Sequence, residues 1–144
     1  MREVKGDIWR YKDQGYIVIP TNGYVRNDGR CVMGRGVAHQ AARRYPPIPM
    51  ELGTLIRKHG NHVYAIGINM FSFPVKHVWW EKAEEGLITN SMIELRDLAD
   101  TMPGARFYLP RVGCGNGQLK WGDVKPILEI GLADNRFTIV NLGG

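Results

Sequence analysis

Two glycine-rich segments are the parts of the sequence best suited to hold a ligand: residues 29–36 (the first glycine loop) and residues 113–117 (the second glycine loop). Glycine lets the backbone come close to a ligand, and the free amides at the start of a following helix favour a phosphate. The predicted phosphate-holding residues of the first segment are Met33, Gly34, Arg35, Gly36 and Val37. The second segment is predicted to hold another phosphate or a sugar edge through Gly113, Cys114, Gly115, Asn116 and Gly117.

Lys76 is the side chain whose setting could support covalent chemistry. It is followed by His77, Trp79 and Trp80, an apolar neighbourhood in which the pKa of an amine can fall. A lysine amine with a lowered pKa can attack an electrophilic carbon. It can instead hold a phosphate or guide a proton transfer. The remaining alternative is an ordinary surface lysine after a strand.

Alternating strand and helix patterns surround these residues and predict an α/β domain. A largely parallel sheet covered on both faces follows from that alternation. No linker, repeat or low-complexity stretch interrupts the chain, so one domain is expected over residues 1–144. The predicted strands are 16–20, 62–66, 69–73, 106–110 and 137–140, and the predicted helices are 37–45, 49–59, 81–100 and 121–132.

Both glycine loops follow a predicted strand and precede a predicted helix. In open α/β sheets, ligands bind where such loops gather beyond the carboxyl ends of the strands. One such loop alone is equally consistent with a tight turn, but two in one small domain favour a phosphate-bearing ligand. The sequence contains no GxxxxGK[ST] motif, and no GxGxxG motif follows the first strand.

Composition indicates an ordinary globular protein with a basic balance. Of its 144 residues, 44% are hydrophobic, and the formal net charge is +5. That charge permits a phosphate-rich partner without identifying one. No apolar run approaches the ~20 residues needed to span a bilayer, and the N-terminus lacks the apolar stretch of a signal peptide. We therefore expect a cytoplasmic protein with no membrane partner.

The cysteines and histidines do not predict a metal site or a disulfide scaffold. Cys31 and Cys114 lie far apart in sequence, outside any CxxC or Cys/His pattern. The histidines lack metal-ligand spacing, so neither a metal nor a cofactor is expected. Trp121 is predicted to pack its helix on the sheet.

Four segments, taken in order, resemble the signatures of macrodomains, which bind ADP-ribose. They are Lys5–Ile8, Ile17–Asn22, Met33–Ala38 and Leu109–Gly117. The resemblance implies a three-layer α/β/α fold with a mixed, mostly parallel six-stranded sheet. Two segments are most similar to the terminal ADP-ribose glycohydrolase-like branch of this family. They are Met33–Gly36 and residues 72–80. That branch includes bacterial antitoxins that remove ADP-ribose from DNA.

The resemblance also implies a role for each matching position. Asp7 would accept a hydrogen bond from the adenine amino group beside the Ile8 amide, and Asn22 would bind the distal ribose. The two glycine loops would enclose the diphosphate. Lys76 would be the catalytic lysine, with Asn22 beside it. Eukaryotic members of the branch carry an acidic residue in the second loop, which releases the lysine adduct. This chain has Gly117 at about that position, so Lys76 is expected to act without a carboxylate partner.

Together, these residues predict an ADP-ribosyl hydrolase acting on ADP-ribosylated DNA or on acidic protein side chains. Removal of phosphate from ADP-ribose 1″-phosphate is a second enzymatic alternative. A reader that binds ADP-ribose without turnover is a third, and binding of another nucleotide or RNA is a fourth. A monomer is expected.

Overall fold

The computed structural model describes residues 1–142, in which a six-stranded sheet lies between two layers of helices. The predicted fold class, α/β/α with a mixed and mostly parallel sheet, is confirmed. The strands are β1 (Arg2–Lys5), β2 (Tyr16–Asn22), β3 (Ala65–Ile66), β4 (Met70–Lys76), β5 (Phe107–Leu109) and β6 (Phe137–Asn141). The helices are α1 (Gly36–Arg44), α2 (Ile48–His59), α3 (Glu85–Asp100) and α4 (Trp121–Gly131), with a short 3-10 helix at Ile8–Tyr11.

The central strands are apolar on both faces because both faces are covered. In β2, Ile17 and Ile19 pack toward α1 and α2, whereas Val18 packs toward α3 and α4. Successive side chains of a strand point to opposite faces, so a continuous apolar run serves two cores at once. The Phe107 ring lies in the second of these cores, with its centroid 5.4 Å from that of Phe137.

The strand order is β1-β6-β5-β2-β4-β3, and all neighbours are parallel except β3 and β4. From β2 the chain proceeds toward one edge of the sheet, and from β5 it proceeds toward the other. The order therefore reverses between β2 and β5, which is where ligands bind in open α/β sheets. The two glycine loops follow these two strands.

One strand was missed and three predicted bounds were wrong by three or more residues, among them the end of β4, which reaches Lys76 instead of residue 73. The sequence analysis missed β1, because its charged residues lack an apolar run and it forms by pairing with β6. The predicted strand 62–66 narrows to β3, since residues 63 and 64 bond instead to the side chains of Glu94 and Ser72. Helix α3 begins four residues later than predicted. Ala83 and Glu84 donate their amides to the carbonyls of Gly117 and Val75 instead.

Candidate active site

A cavity of about 770 Å³ lies beyond the carboxyl ends of the parallel strands. This volume is typical of a small-molecule site. All the residues predicted to form the site line this one cavity, although their roles toward a ligand stay predictions. They are Asp7, Ile8, Asn22, Met33, Gly34, Arg35, Gly36, Val37, Lys76, Gly113, Cys114, Gly115, Asn116 and Gly117.

The first glycine loop delivers the start of α1 to the cavity wall. Arg35 precedes the helix and makes no side-chain capping bond, so the first-turn amides are not capped from within the helix. Gly36 has a φ of 58°, a conformation that side chains rarely adopt. A Cβ at Gly34 or Gly36 would meet no atom within 4 Å, so the backbone here is open to close approach. Uncapped amides at a helix start favour an anion.

Asn22 joins β2 to a small hairpin, residues 24–32. Its side-chain oxygen accepts a hydrogen bond from the Tyr24 amide (2.9 Å), and its side-chain nitrogen donates to the Val32 carbonyl (2.9 Å). The side chain is buried. Each polar atom has one bond inside the protein, which leaves one N–H and one lone pair for a ligand. Asn22 therefore fixes the shape of the first loop besides facing the cavity.

Lys76 is the last residue of β4 and lies opposite Asn22 in the register with β2. A register shift at Thr21 and Asn22 puts Lys76, rather than Val75, at this position. The Lys76 side chain is only 7% exposed, and its Nζ donates to the Trp79 carbonyl at 3.1 Å. Burial lowers the pKa of this amine, and the positive charge of Arg35 lowers it further.

The glycines of the second loop divide into two kinds. A Cβ at Gly117 would lie 2.5 Å from the Gly113 carbonyl oxygen, and one at Gly113 would lie 2.8 Å from the Ile88 side chain. Gly117 must be glycine for the loop to close on itself, and Gly113 has a φ of 75°, a conformation that side chains rarely adopt. Gly115 and Asn116 are exposed, and a Cβ at Gly115 would meet nothing within 4 Å. Gly115 therefore presents open backbone to a ligand.

The same contact explains why no acidic residue stands at Gly117. With the Gly113 carbonyl at 2.5 Å and the Ala83 side chain at 2.9 Å, the backbone leaves no room for a carboxylate there. Among the described residues that line the cavity, the one acidic side chain is Asp7.

Charged groups on the cavity wall are mostly basic. Arg26, Arg35, Lys76 and Arg111 line it, against the single carboxylate of Asp7. Burial raises the pKa of the Cys114 thiol to about 11, so this thiol is neutral. Such a wall favours an anionic ligand.

Asp7 lies at the opposite end of the cavity from Lys76. It follows β1, which is separated from β4 by three strands, so the two ends lie about 19 Å apart at ordinary strand spacing. The Asp7 carboxylate accepts a hydrogen bond from the Trp9 amide (3.1 Å) at the start of the 3-10 helix. The cavity therefore suits an extended ligand with two different ends.

Two tryptophans follow Lys76 and are largely exposed. Trp79 lines the cavity, and the exposed side chains of Trp79 and Trp80 retain 47% and 59% of their accessible surface. The Trp80 ring contacts Trp79 and Tyr24 edge-on, with centroids 5.5 and 5.4 Å away. An aromatic surface therefore borders the Lys76 end of the cavity.

The sequence analysis missed some wall residues and assigned another differently. Trp121 lines the cavity and donates its indole N–H to Glu3 (3.0 Å), with the Arg111 guanidinium 5.3 Å from the ring centroid. Arg26 and Gln40 also line the wall. Gln40 lies one helical turn after Gly36, and that spacing could have predicted its place. Nothing local in the sequence marks Trp121, because its partners come from β1 and from the segment that follows β5.

Within residues 1–142, no group of three or more His, Cys, Asp and Glu side chains is placed to hold a metal ion. Over the same residues, no helix has the length and apolar character needed to cross a membrane.

No protein-family model and no curated protein matches the sequence, but solved structures match the fold. The macrodomain of Mycobacterium tuberculosis DarG aligns with a TM-score of 0.82 at 23% identity, over 97% of this chain and 95% of that one. The Thermus aquaticus DarG macrodomain aligns with a TM-score of 0.79 at 23% identity, over 99% of this chain and 97% of that one. The chain has the macrodomain fold.

A third matching structure is Thermosipho africanus DarTG in complex with ADP-ribose. It aligns with a TM-score of 0.78 at 18% identity, over 98% of this chain. The match covers 42% of the DarTG chain, so the present chain spans less than half of that protein's length.

Proposed function

We propose that the protein binds ADP-ribose in this cavity and hydrolyses ADP-ribosyl derivatives, with Lys76 as the catalytic residue. The observation that carries the proposal is the buried Lys76 amine at one end of a basic cavity flanked by two glycine loops. The macrodomain fold, found also in a structure solved with ADP-ribose, supports the choice of ligand.

The proposed orientation follows from the two ends of the cavity. Asp7 and the Ile8 amide would bind adenine, and the diphosphate would lie between the start of α1 and the second glycine loop. The distal ribose would then reach Asn22 and Lys76, which face each other across β2 and β4. Uncapped helix amides on one side and the open backbone of Gly115 on the other are suitable donors for phosphate oxygens.

The proposed chemistry uses Lys76 as a nucleophile. A lowered pKa increases the fraction of neutral amine, whose lone pair is the attacking group. A bond forms from Nζ to C1″ of the distal ribose while the bond to the leaving group breaks. The leaving group departs with the electron pair and takes up the proton lost from Nζ. Water then displaces the amine from C1″, leaving a hydroxyl on that carbon and returning a proton to Nζ. The Trp79 carbonyl orients the amine through the 3.1 Å hydrogen bond.

The exposed aromatic residues bear on which derivative is cleaved. Trp79 lines the cavity beside Lys76, where the leaving group would emerge. A planar nucleobase can stack on such a side chain, which favours ADP-ribosylated DNA over a glutamyl linkage. Turnover assays on ADP-ribosylated thymidine DNA, glutamyl-linked protein and ADP-ribose 1″-phosphate would compare the three leaving groups directly.

Binding is tested by calorimetry with ADP-ribose against ADP, AMP and NAD. We expect tighter binding of ADP-ribose, because only this ligand places an unblocked distal ribose next to Asn22 and Lys76. Equal affinity for ADP-ribose and ADP would contradict the proposed ligand.

Catalysis is tested with Lys76→Ala and a matched variant, Lys82→Ala. Lys82 is an exposed lysine that does not line the cavity. Lys76→Ala should abolish turnover and leave ADP-ribose affinity within a few-fold of the native value, whereas Lys82→Ala should resemble the native protein. Turnover by Lys76→Ala at the native rate would exclude the amine as nucleophile.

A non-catalytic reader is the second candidate function. Its specific support is that none of the described cavity residues near Lys76 is a carboxylate that could activate water. A native protein that binds ADP-ribose but turns over none of the three substrates would be a reader.

A further inference from the structure

Trp9 fixes two side chains at the Asp7 end of the cavity. Its backbone amide donates to the Asp7 carboxylate at 3.1 Å, and its indole Nε1 donates to the Gln40 side-chain oxygen at 2.7 Å. The Trp9 side chain is only 5% exposed, and the Arg44 guanidinium lies 4.5 Å from its ring centroid. Asp7 and Gln40 are thus positioned by one buried residue, and both line the cavity.

The indole determines which end of the Gln40 amide faces it. An indole N–H can only donate, so its partner must be the carbonyl oxygen of Gln40, and the NH₂ group is the other end. Within residues 1–142, this NH₂ group has no hydrogen-bond partner in the protein. Gln40 therefore offers a donor to a ligand, whereas Asp7 offers an acceptor.

We propose that Gln40 is a specificity-determining residue that reads the nucleotide base as a hydrogen-bond donor, oriented by Trp9 as a positioning residue. This inference rests on the proposed binding of ADP-ribose. Adenine carries an amino donor between two ring-nitrogen acceptors, N1 and N7: the amino group complements the Asp7 carboxylate, N1 complements the Gln40 donor, and N7 is left for the Ile8 amide. Hypoxanthine carries an oxygen where adenine has the amino group, and that oxygen would face the Asp7 carboxylate unfavourably.

Gln40→Glu tests the donor with little change of shape. The glutamate keeps an oxygen for the Trp9 indole but replaces the NH₂ group with an acceptor. We expect the affinity for ADP-ribose to fall by about fivefold to a hundredfold, since one good base contact accounts for about 1–3 kcal/mol of discrimination and about 1.4 kcal/mol is a factor of ten. The affinity for inosine diphosphate ribose, the hypoxanthine analogue, should change less, so the preference between the two ligands should narrow.

Two further variants separate this effect from added charge and from lost packing. His39→Glu places the same charge on the neighbouring exposed residue of α1, which does not line the cavity, and should keep the native preference. Gln40→Met keeps the length of the side chain without a donor, and should weaken ADP-ribose binding with no added charge.

Trp9→Phe tests the positioning role. It removes the indole N–H and retains a packed ring, so the Gln40 amide is free to rotate. We expect the preference for ADP-ribose over inosine diphosphate ribose to fall even if the melting temperature stays near the native value. A merely structural role for Trp9 would lower the melting temperature without changing the ratio of the two affinities.

The outcomes distinguish the inference from the function on which it rests. A native protein that binds neither nucleotide would overturn both. A native protein that binds ADP-ribose, together with Gln40→Glu and Gln40→Met variants that keep its affinity and its base preference, would overturn the role of Gln40 alone.

Discussion

Lys76 is a buried amine that is not paired with a carboxylate of the described residues, which is unusual in a protein interior. Its side chain is 7% exposed and, within residues 1–142, forms no salt bridge; its Nζ bonds to a backbone carbonyl. A charged amine in such a place is disfavoured relative to water, and the lowered pKa reflects that penalty. The residue proposed for catalysis therefore lowers the stability of the fold that holds it.

We expect Lys76→Met to raise the free energy of unfolding at neutral pH. Methionine fills a similar volume without a charge to bury, which is the usual result of removing a strained functional residue. Urea denaturation of both proteins measures the difference. A less stable variant would show that the amine stabilises the fold through its bond to Trp79.

The pH dependence of that difference has a definite sign. Below the lowered pKa, Lys76 is protonated in both states, and the folded protein bears the full penalty. As the pH rises from the lowered pKa toward the ordinary value, the unfolded chain binds more protons, so native stability rises. The gap between Lys76→Met and the native protein should therefore narrow with rising pH, and a gap that widens would contradict the lowered pKa.

Arg35→Gln should move the pH–rate profile to higher pH. Removing this positive charge returns the Lys76 pKa toward its ordinary value, so the neutral amine appears at a higher pH. Because Arg35 also lines the cavity, kcat should be measured with saturating substrate. Arg30→Gln is the matched control, since Arg30 is exposed and pairs with Asp28. If the dependence of kcat on pH is unchanged in Arg35→Gln, the charge of Arg35 does not affect the catalytic step.

At the residue scale, sequence reasoning named Asp7, Asn22 and Lys76, and the structure brings all three to one cavity. It did not predict the two internal hydrogen bonds of Asn22 or the burial of Lys76. The hydrogen bonds need the hairpin that returns Val32 to Asn22, and the place of Lys76 opposite Asn22 needs the register shift that arises when β2 and β4 pair. Their roles toward a ligand stay predictions.

At the scale of elements, the second glycine loop combines internal closure with an open face. Gly113 and Gly117 pack against each other and their neighbours, whereas Gly115 is exposed. A glycine-rich motif can therefore contain positions required by the fold beside positions available to a ligand. The sequence predicted the motif but could not separate the two kinds, because the separation depends on contacts from residues 83 and 88.

Gly117→Ala should lower the free energy of unfolding by about 1–3 kcal/mol, the usual range for overpacking. Its new methyl group would lie 2.5 Å from the Gly113 carbonyl oxygen, so the loop must open. Gly115→Ala, which adds the same methyl group in open space, should stay within about 0.5 kcal/mol of the native protein. Denaturation without ligand makes the comparison, and equal losses at both positions would contradict the close contact.

The elements with strong apolar periodicity were predicted well, and those defined by pairing were not. Helices α1, α2 and α4 begin and end within a residue of their predicted bounds. Strand β1 was missed because Arg2, Glu3 and Lys5 give no strand signal apart from the partner β6. The start of α3 was misplaced because Ala83 and Glu84 bond to the second glycine loop and to β4.

For the whole molecule, binding should appear as increased thermal stability. A ligand that binds only the folded state at 100 times its Kd adds about 2.7 kcal/mol, which raises the melting temperature by roughly 8–10 °C for a chain of this size. We expect ADP-ribose to give such a shift and ribose 5-phosphate to give a smaller one at equal concentration. The same small shift with both would contradict recognition of the adenine end.

The alternation of strands and helices predicted the layers of the molecule, and the resemblance predicted the number of strands. Neither the alternation nor the resemblance was used to predict the order of the strands. The reversal of strand order between β2 and β5 is set by how the helices cover the sheet. That reversal brings the two glycine loops side by side, although nearly eighty residues separate them in sequence.

The strand order also predicts that the two ends of the cavity form at different stages of folding. The Lys76 end forms when β2 pairs with β4, and the chain between these two strands is much shorter than the whole sequence. The Asp7 end forms when β1 pairs with β6, and nearly the whole sequence lies between those strands. Contacts between distant segments form slowly, because a long loop must close first. During refolding, the end that recognises the base should therefore mature after the end that carries the lysine. A folding chain would therefore position the Lys76 amine before it can select among nucleotide bases.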